Sequence, residues 1–137
     1  MDQLDSGILS VLKENARERV TEIAKRFKVS EGTVRNRVCA MEKRGDIKGY
    51  SVILGSRIAG VNALAFLKTL PQAGTTNVME KVKNVDGVQR AWEVAGEFDA
   101  CCLLNARDIE QLNEFLEQIR KTKGVLDTKS FSILKEV

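Results

Sequence analysis

The chain has 137 residues, of which 43% are hydrophobic and 30% charged, and its net charge is +3. This length allows one domain or two small ones, and the composition favours packed cores over disorder. No run approaches the ~18 apolar residues of a membrane span, and the N-terminus lacks a basic-then-apolar leader. We therefore expect a cytoplasmic protein with no membrane partner. Three cysteines and no histidine argue against a disulfide framework and a zinc site, and we expect no cofactor.

Three helices are predicted in the first 45 residues. The first begins at Asp2 or Asp5, and Gly7 inside it is a mild defect of about 1 kcal/mol relative to alanine. The second helix carries apolar residues at i, i+3, i+4 and i+7, which are Val20, Ile23, Ala24 and Phe27. Lys28 and Val29 interrupt the pattern, so this helix and the next meet at a short turn.

The third helix begins at Ser30, whose hydroxyl is suited to accept from the backbone N–H of Gly32 or Thr33, and ends at Gly45. Its buried stripe is Val34, Val38 and Met41. The opposite face, at about 100° per residue, carries Gly32, Thr33, Arg35, Asn36, Cys39, Ala40 and Lys43. This is the layout of a helix-turn-helix, whose second helix enters a DNA major groove. A merely solvated polar face is the alternative.

Charge favours the DNA interpretation. Residues 25–48 hold eight Lys or Arg against three acids, and residues 61–137 have a net charge of −1. We predict base contacts by Thr33, Arg35 and Asn36, and a phosphate or intramolecular partner for Arg37. Lys28 and Lys43 are expected to hold phosphates. The complete predicted DNA-binding set is Lys28, Ser30, Gly32, Thr33, Arg35, Asn36, Arg37 and Lys43.

An extended run over residues 47–54 predicts a strand, because Tyr50, Val52 and Leu54 alternate along it. Gly55 and Gly60 then flank a short connection. We therefore expect a tri-helical DNA-binding domain with a linker strand over residues 1–54. Residues 55–137 would form a second domain.

The second half repeats the order strand, helix, strand. Predicted strands cover residues 61–70, 87–94, 100–106 and 124–134, and predicted helices cover 76–85 and 109–121. Both helices exit through a Gly-Val pair, at Gly87 and Gly124. The order β-α-β-β-α-β predicts a ferredoxin-like domain with two helices on one face of four antiparallel strands, and hence an α+β chain.

Both faces of this sheet are predicted to be apolar. Leu64 and Phe66 share one face of the first strand, whereas Ala63, Ala65 and Leu67 share the other. The later strand segment ACCLL is apolar throughout. Since a monomer rarely exposes a whole apolar sheet face, we expect a homodimer through this half. Its two helix-turn-helix modules would meet DNA half-sites about 34 Å apart, or a multiple of that.

Several motifs carry a family resemblance. They are the opening MDQLDSGILSVL, Arg17 through Glu22-Ile23-Ala24, Val29-Ser30, Thr33-Val34, Arg37-Val38, Gly45-x-Ile47-x-Gly49-Tyr50, Val94-x-Gly96-x-x-Asp99, and Gly124-Val125-x-x-Thr128-x-Ser130. In order and spacing they resemble the Lrp/AsnC transcriptional regulators, also called feast/famine regulators. The resemblance implies a regulator of double-stranded DNA whose C-terminal half dimerises and assembles further, to tetramers or octamers. It also implies an amino-acid effector bound between dimers.

The resemblance places the effector at Gly96, Glu97, Phe98, Asp99 and Ser130. Asp99 or Glu97 would pair the effector's ammonium, and backbone N–H groups near Gly96 its carboxylate. Alternatively, Gly96 only permits a tight turn that Asp99 caps.

Three residues depart from the family pattern. Arg19 replaces a capping Ser or Thr before the second helix, Gly55 replaces a common acidic residue after the first strand, and Phe131 replaces a small polar residue near the presumed pocket.

Two other functions are compatible with a chain of this kind. Some chains similar to this family are sirohaem-type tetrapyrrole decarboxylases, which depend on histidine, and the absence of histidine disfavours an enzyme. A sensing module without DNA binding is disfavoured by the basic helix face.

Overall fold

The computed structural model describes residues 1–55, 59–135 and 137. The chain divides into two compact units, Met1–Ile53 and Leu54–Val137. The first unit is helical and the second has the element order β-α-β-β-α-β, so the α+β class is confirmed. No helix in the described part of the chain is both long and apolar enough to cross a membrane.

Three helices form the first unit: α1 (Gln3–Glu14), α2 (Val20–Phe27) and α3 (Glu31–Arg44). Asp2 caps α1, since its Oδ1 accepts from the backbone N–H of Asp5 at 2.8 Å. Arg19 gives α2 no side-chain cap. The core between the helices consists of Ile8, Val11, Ile23, Ala24, Val34 and Met41. It draws on the stripes that helical periodicity predicted.

Gly7 has a packing role in α1 that the sequence did not indicate. A Cβ atom at this position would lie 2.5 Å from Cε1 and 2.7 Å from Cζ of Phe27. Glycine therefore leaves room for the Phe27 ring of α2 to approach α1. The mild defect predicted for this position is accompanied by a close helix contact.

The strand predicted over residues 47–54 is wrong. The backbone from Lys48 to Gly55 pairs with no strand among the described residues, and Val52 and Ile53 are 82% and 95% exposed. Alternation alone does not make a strand, because a strand also requires a hydrogen-bonded neighbour. Within this segment the Tyr50 hydroxyl donates to Glu42 Oε1 on α3 at 2.9 Å. Part of the predicted boundary, residues 56–58, lies outside the described residues.

The second unit contains four strands and two α-helices: β1 (Val61–Thr69), α4 (Thr75–Val82), β2 (Val88–Glu93), β3 (Ala100–Ala106), α5 (Ile109–Lys121) and β4 (Val125–Ser132). A short 3-10 turn, Pro71–Ala73, precedes α4. The strands lie in the order β2-β3-β1-β4, and all three neighbouring pairs are antiparallel. The elements therefore follow the predicted order; α4 ends three residues earlier than expected and β4 two.

The two faces of the sheet differ in what covers them. Ala63, Ala65 and Leu67 of β1 point towards α4 and α5 and are fully buried there. The same face of β3 contributes Ala100, Cys102, Leu104 and Ala106. The alternate residues of both strands, among them Leu64 and Phe66, lie on the opposite face, which we call the outer face.

The two Gly-Val exits adopt equivalent conformations. Gly87 and Gly124 have φ angles of +85° and +100°, which non-glycine residues rarely adopt. A side chain at Gly87 would collide with the ring of Phe115, and one at Gly124 would come within 2.6 Å of Val78. Each glycine thus lets the chain turn from the helix side back into the sheet.

Candidate DNA-binding face and effector loop

The turn between α2 and α3 is closed by backbone geometry. Lys28 is in the left-handed conformation with φ of 54°, and the N–H of Val29 donates to the Ala24 carbonyl at 3.0 Å. The left-handed backbone at Lys28 and this hydrogen bond thus end α2, and α3 begins three residues after Lys28. This is the tight connection that the predicted helix-turn-helix requires.

Ser30 caps α3 as predicted. Its Oγ accepts from the backbone N–H of Thr33 at 3.1 Å, and the two hydroxyl oxygens are 2.9 Å apart. At the other end of the helix, Gly45 adopts the left-handed conformation. The cap fixes where α3 begins and so which of its residues face outward.

The polar face of α3 is open to solvent. Gly32, Arg35, Asn36, Cys39 and Lys43 are exposed, whereas Thr33 and Ala40 are half-buried. The Arg35 side chain is 66% exposed and lies 3.7 Å from Glu31, one turn earlier on α3. Such a surface pair holds an arginine weakly, so Arg35 is available to a partner.

Several cations around α3 are also unengaged. Arg26, Lys28, Lys43 and Lys48 make no ion pair with any residue that the structure describes, and all four are exposed. Lys25 differs, because its Nζ lies 2.9 Å from Glu22. The local positive charge therefore remains largely available to a polyanion.

Arg37 has intramolecular partners. Its Nη1 lies 2.6 Å from Oδ2 of Asp2, the residue that caps α1, and 3.3 Å from Oδ1 of Asp5 in the first turn of α1. The backbone N–H of Asp5 and the Arg37 guanidinium lower the pKa of the Asp2 carboxyl below its ordinary value of 3.8. Of the two roles predicted for Arg37, the geometry thus provides the intramolecular one. Sequence reasoning missed both acids as partners, because nothing in their spacing relates them to residue 37.

The effector loop predicted from the family resemblance joins β2 to β3. Asp99 Oδ2 accepts from the Thr69 backbone N–H at 2.8 Å and from its hydroxyl at 3.3 Å, while the Asp99 N–H donates to the Leu67 carbonyl. This carboxylate therefore ties the loop to the end of β1. Gly96 has φ of +148° with open space around it, and Glu97 is exposed. The turn-capping role weighed for Gly96 and Asp99 fits these contacts.

The remaining predicted effector residues point elsewhere. The Phe98 ring packs on the outer face, with its centroid 5.4 Å from that of the Phe66 ring. Ser130 pairs with Ala65 in the register of β1 and β4, and so lies on the helix side of the sheet. Within one chain, Ser130 therefore lies beside Ala65, which is four residues, or about 13 Å, before the Thr69 end of β1 that Asp99 holds. One protomer does not bring the five residues together.

Both units match known families. Residues 1–42 match the model of the AsnC-type helix-turn-helix domain, and residues 62–137 match that of the Lrp/AsnC ligand binding domain. The chain belongs to the Lrp/AsnC family. Among its relatives, the HTH-type transcriptional regulator LysM of Sulfurisphaera tokodaii is 33% identical over 135 residues, which are 98% of this chain and 96% of that protein. Ptr1 of Methanocaldococcus jannaschii, also named an HTH-type transcriptional regulator, is 33% identical over 119 residues, which are 86% of this chain and 80% of that protein.

Solved structures of the Lrp/AsnC family share the whole architecture. Escherichia coli AsnC superposes with a TM-score of 0.82 at 25% identity, over 99% of this chain and 93% of that one. A feast or famine regulatory protein of Mycobacterium tuberculosis, complexed with L-methionine, gives 0.87 at 26% identity over 98% and 92%. The protein is accordingly a helix-turn-helix transcription regulator. Since that role is not enzymatic, the decarboxylase alternative is set aside.

Proposed function

We propose that the protein binds double-stranded DNA as a homodimer through the exposed face of α3, and that an amino acid bound by the second unit modulates this binding. The observation that carries the DNA interface is the division of the arginines on α3. Arg35 is 66% exposed and weakly held, whereas Arg37 is tied to two acids of α1. The exposed face of α3 thus presents a weakly held guanidinium, that of Arg35.

Each residue on this face of α3 has a role suited to its chemistry. Arg35 can donate two hydrogen bonds to guanine O6 and N7, and Asn36 can bond adenine N6 and N7 in the same bidentate way. Thr33 contributes a hydroxyl at the start of the helix, where Gly32 allows close approach. Lys28 and Lys43 contact phosphates, which position the helix without reading sequence.

The outer face of the sheet supports a dimer. Phe66 packs against both Phe98 and Phe131, with ring centroids 5.4 and 6.0 Å apart. In the same layer, Trp92 pairs with Cys101, and its side chain is 42% exposed. An aromatic surface of this kind is typical of a protein interface, and a second copy offers a surface that matches it by symmetry.

The proposal of an amino-acid effector is supported by what the second unit resembles. Residues 62–137 match a ligand binding domain, and a relative of similar fold was solved with L-methionine. Ser130 and the loop at Gly96–Asp99 are apart in one chain, so a site that contains both needs more than one copy of the chain. Following the family resemblance, we place this site where two dimers meet, which requires a tetramer or octamer.

Selection from a random DNA pool tests the DNA interface. The full-length protein should enrich duplexes with two inverted half-sites about one helical turn apart, or a multiple of it. Affinity for them should fall steeply with salt, because bound lysines and arginines release counterions. Failure to enrich any sequence would overturn this function.

A thermal-shift panel over the common amino acids tests the effector. A ligand that binds only the folded protein stabilises it by about 2.7 kcal/mol at 100 times its Kd. At least one amino acid should raise the melting temperature. If none does, the protein is not an amino-acid sensor.

A further inference from the structure

A buried carboxylate connects α1 to α3. In the part of the chain that the structure describes, Asp5 is the one charged residue with a buried side chain, at 3% exposure. Burying an isolated carboxylate is costly, so its partners must offset the lost hydration. Those partners are two arginines of α3, the helix proposed to read DNA.

The two carboxylate oxygens of Asp5 are divided between these arginines. Oδ1 lies 3.3 Å from Arg37 Nη1, and Oδ2 lies 3.2 Å from Arg44 Nη2. Residues seven apart in a helix are almost two full turns apart and lie on the same side, so one carboxylate bridges about 10 Å of α3. A contact at two heights resists both rolling and sliding of α3 against α1.

Each arginine has a second acid. Arg37 pairs with Asp2 at 2.6 Å, and Arg44 pairs with Asp46 at 2.8 Å. Three carboxylates thus surround two guanidinium groups, and this acidic brace neutralises both of them. The side chains of Arg37 and Arg44 are still 40% and 47% exposed, so without the brace they are free to turn outward.

Such a cluster can do more than stabilise the fold. Buried ion pairs contribute little net stability compared with apolar residues of similar volume, whereas they can specify one arrangement over others. Arg37 directly follows the proposed readers Arg35 and Asn36 on α3. A small roll of α3 would move those side chains off the base edges, and a released arginine would add contacts to any phosphate.

We propose that Asp5 is a positioning residue for sequence reading, which fixes the roll of α3 and withholds Arg37 and Arg44 from DNA phosphates. This inference rests on the proposed DNA-binding function and adds to it. The acids of α1 raise the discrimination between specific and non-specific DNA at the expense of total affinity.

The test compares Asp5→Asn with Glu14→Gln in the full-length protein. Both remove one negative charge from α1, but Glu14 is exposed and makes no ion pair with the described residues. Fluorescence anisotropy measures binding to a duplex selected by the wild type and to a scrambled duplex, each at three salt concentrations. Circular dichroism melts report whether each variant folds.

For Asp5→Asn we expect the ratio of selected to scrambled affinity to fall about tenfold or more. On scrambled DNA the salt slope should steepen by about 0.9 for each phosphate newly contacted by Arg37 or Arg44. Glu14→Gln should change neither. A purely structural role for Asp5 would weaken both duplexes together and leave the slope unchanged, and that result would overturn the proposal.

Asp2→Asn decides the question if Asp5→Asn does not fold. Asn caps a helix as well as Asp does, and Asp2 is half exposed, so the change removes one of the two acids that hold Arg37, and leaves Asp5, with little effect on folding. The same two shifts should appear at smaller size, and their absence contradicts the proposal. A wild type that prefers no sequence overturns both this inference and the DNA-binding function, whereas a selective wild type with unchanged variants overturns this inference alone.

Discussion

Phe131→Ala should weaken the homodimer strongly. The Phe131 side chain lies on the outer face, 50% exposed, beside Phe66. A buried phenylalanine removes about 200 Å² from water, so covering the exposed half buries about 100 Å². At about 25 cal/mol per Å² this is about 2.5 kcal/mol, or about 5 kcal/mol for the two copies in a dimer. The dimer dissociation constant should therefore rise by up to about three and a half powers of ten.

Fluorescence-detected sedimentation velocity from nanomolar to micromolar protein measures this constant. Ile109→Ala is the matched control, since Ile109 is 55% exposed but begins α5, on the helix side of the sheet. The control should leave the constant within about threefold of the wild type. Equal constants for Phe131→Ala and the wild type, with both folded, would refute the proposed dimer face.

Cysteine reactivity, stability at low pH and the contact at Gly7 provide three further tests. Cys39 is exposed and should react first with a thiol reagent at pH 8, whereas burial raises the pKa of Cys102 to about 11, so Cys102 should react only on unfolding. Equally fast reaction of the two cysteines in the folded protein would contradict this order. The lowered pKa of Asp2 means that its carboxylate stabilises the fold above its unfolded pKa and loses this effect as the pH falls, so the melting temperature should drop below about pH 4. The drop should be less steep in Asp2→Asn, and identical pH profiles for the two proteins would contradict this role of Asp2. Gly7→Ala gains about 1 kcal/mol of helix propensity but crowds the Phe27 ring at a cost of about 1–3 kcal/mol, so the helical unit should melt at a lower temperature. A higher melting temperature would show that the ring moves aside freely.

The sequence predicted what depends on local pattern. The turn at Lys28, the cap at Ser30 and the end of α3 at Gly45 all follow from residue type and helical period. Alternation along β1 likewise assigned Leu64 and Phe66 to a second apolar face. These features depend only on residues in the same helix, turn or strand, so one sequence suffices to find them.

What the sequence missed depends on residues far apart in the chain. The acids that hold Arg37 lie 35 and 32 residues before it, and their pattern suggested only a helix start. The linker run over residues 47–54 alternates as a strand does, but it has no neighbour to pair with in the described chain. For Asp99 the sequence left open an effector contact and a turn-capping role, and its hydrogen bond to Thr69 of β1 depends on a residue 30 positions away.

The central claim is that the exposed face of α3 reads base sequence, and paired alanine variants test it most directly. Anisotropy on selected and scrambled duplexes should show that Arg35→Ala lowers affinity for the selected duplex by about 1–3 kcal/mol, with much less change on the scrambled one. Lys43→Ala, the matched loss of one exposed cation, should weaken both duplexes alike. Equal losses on both duplexes for Arg35→Ala would contradict base reading by this face.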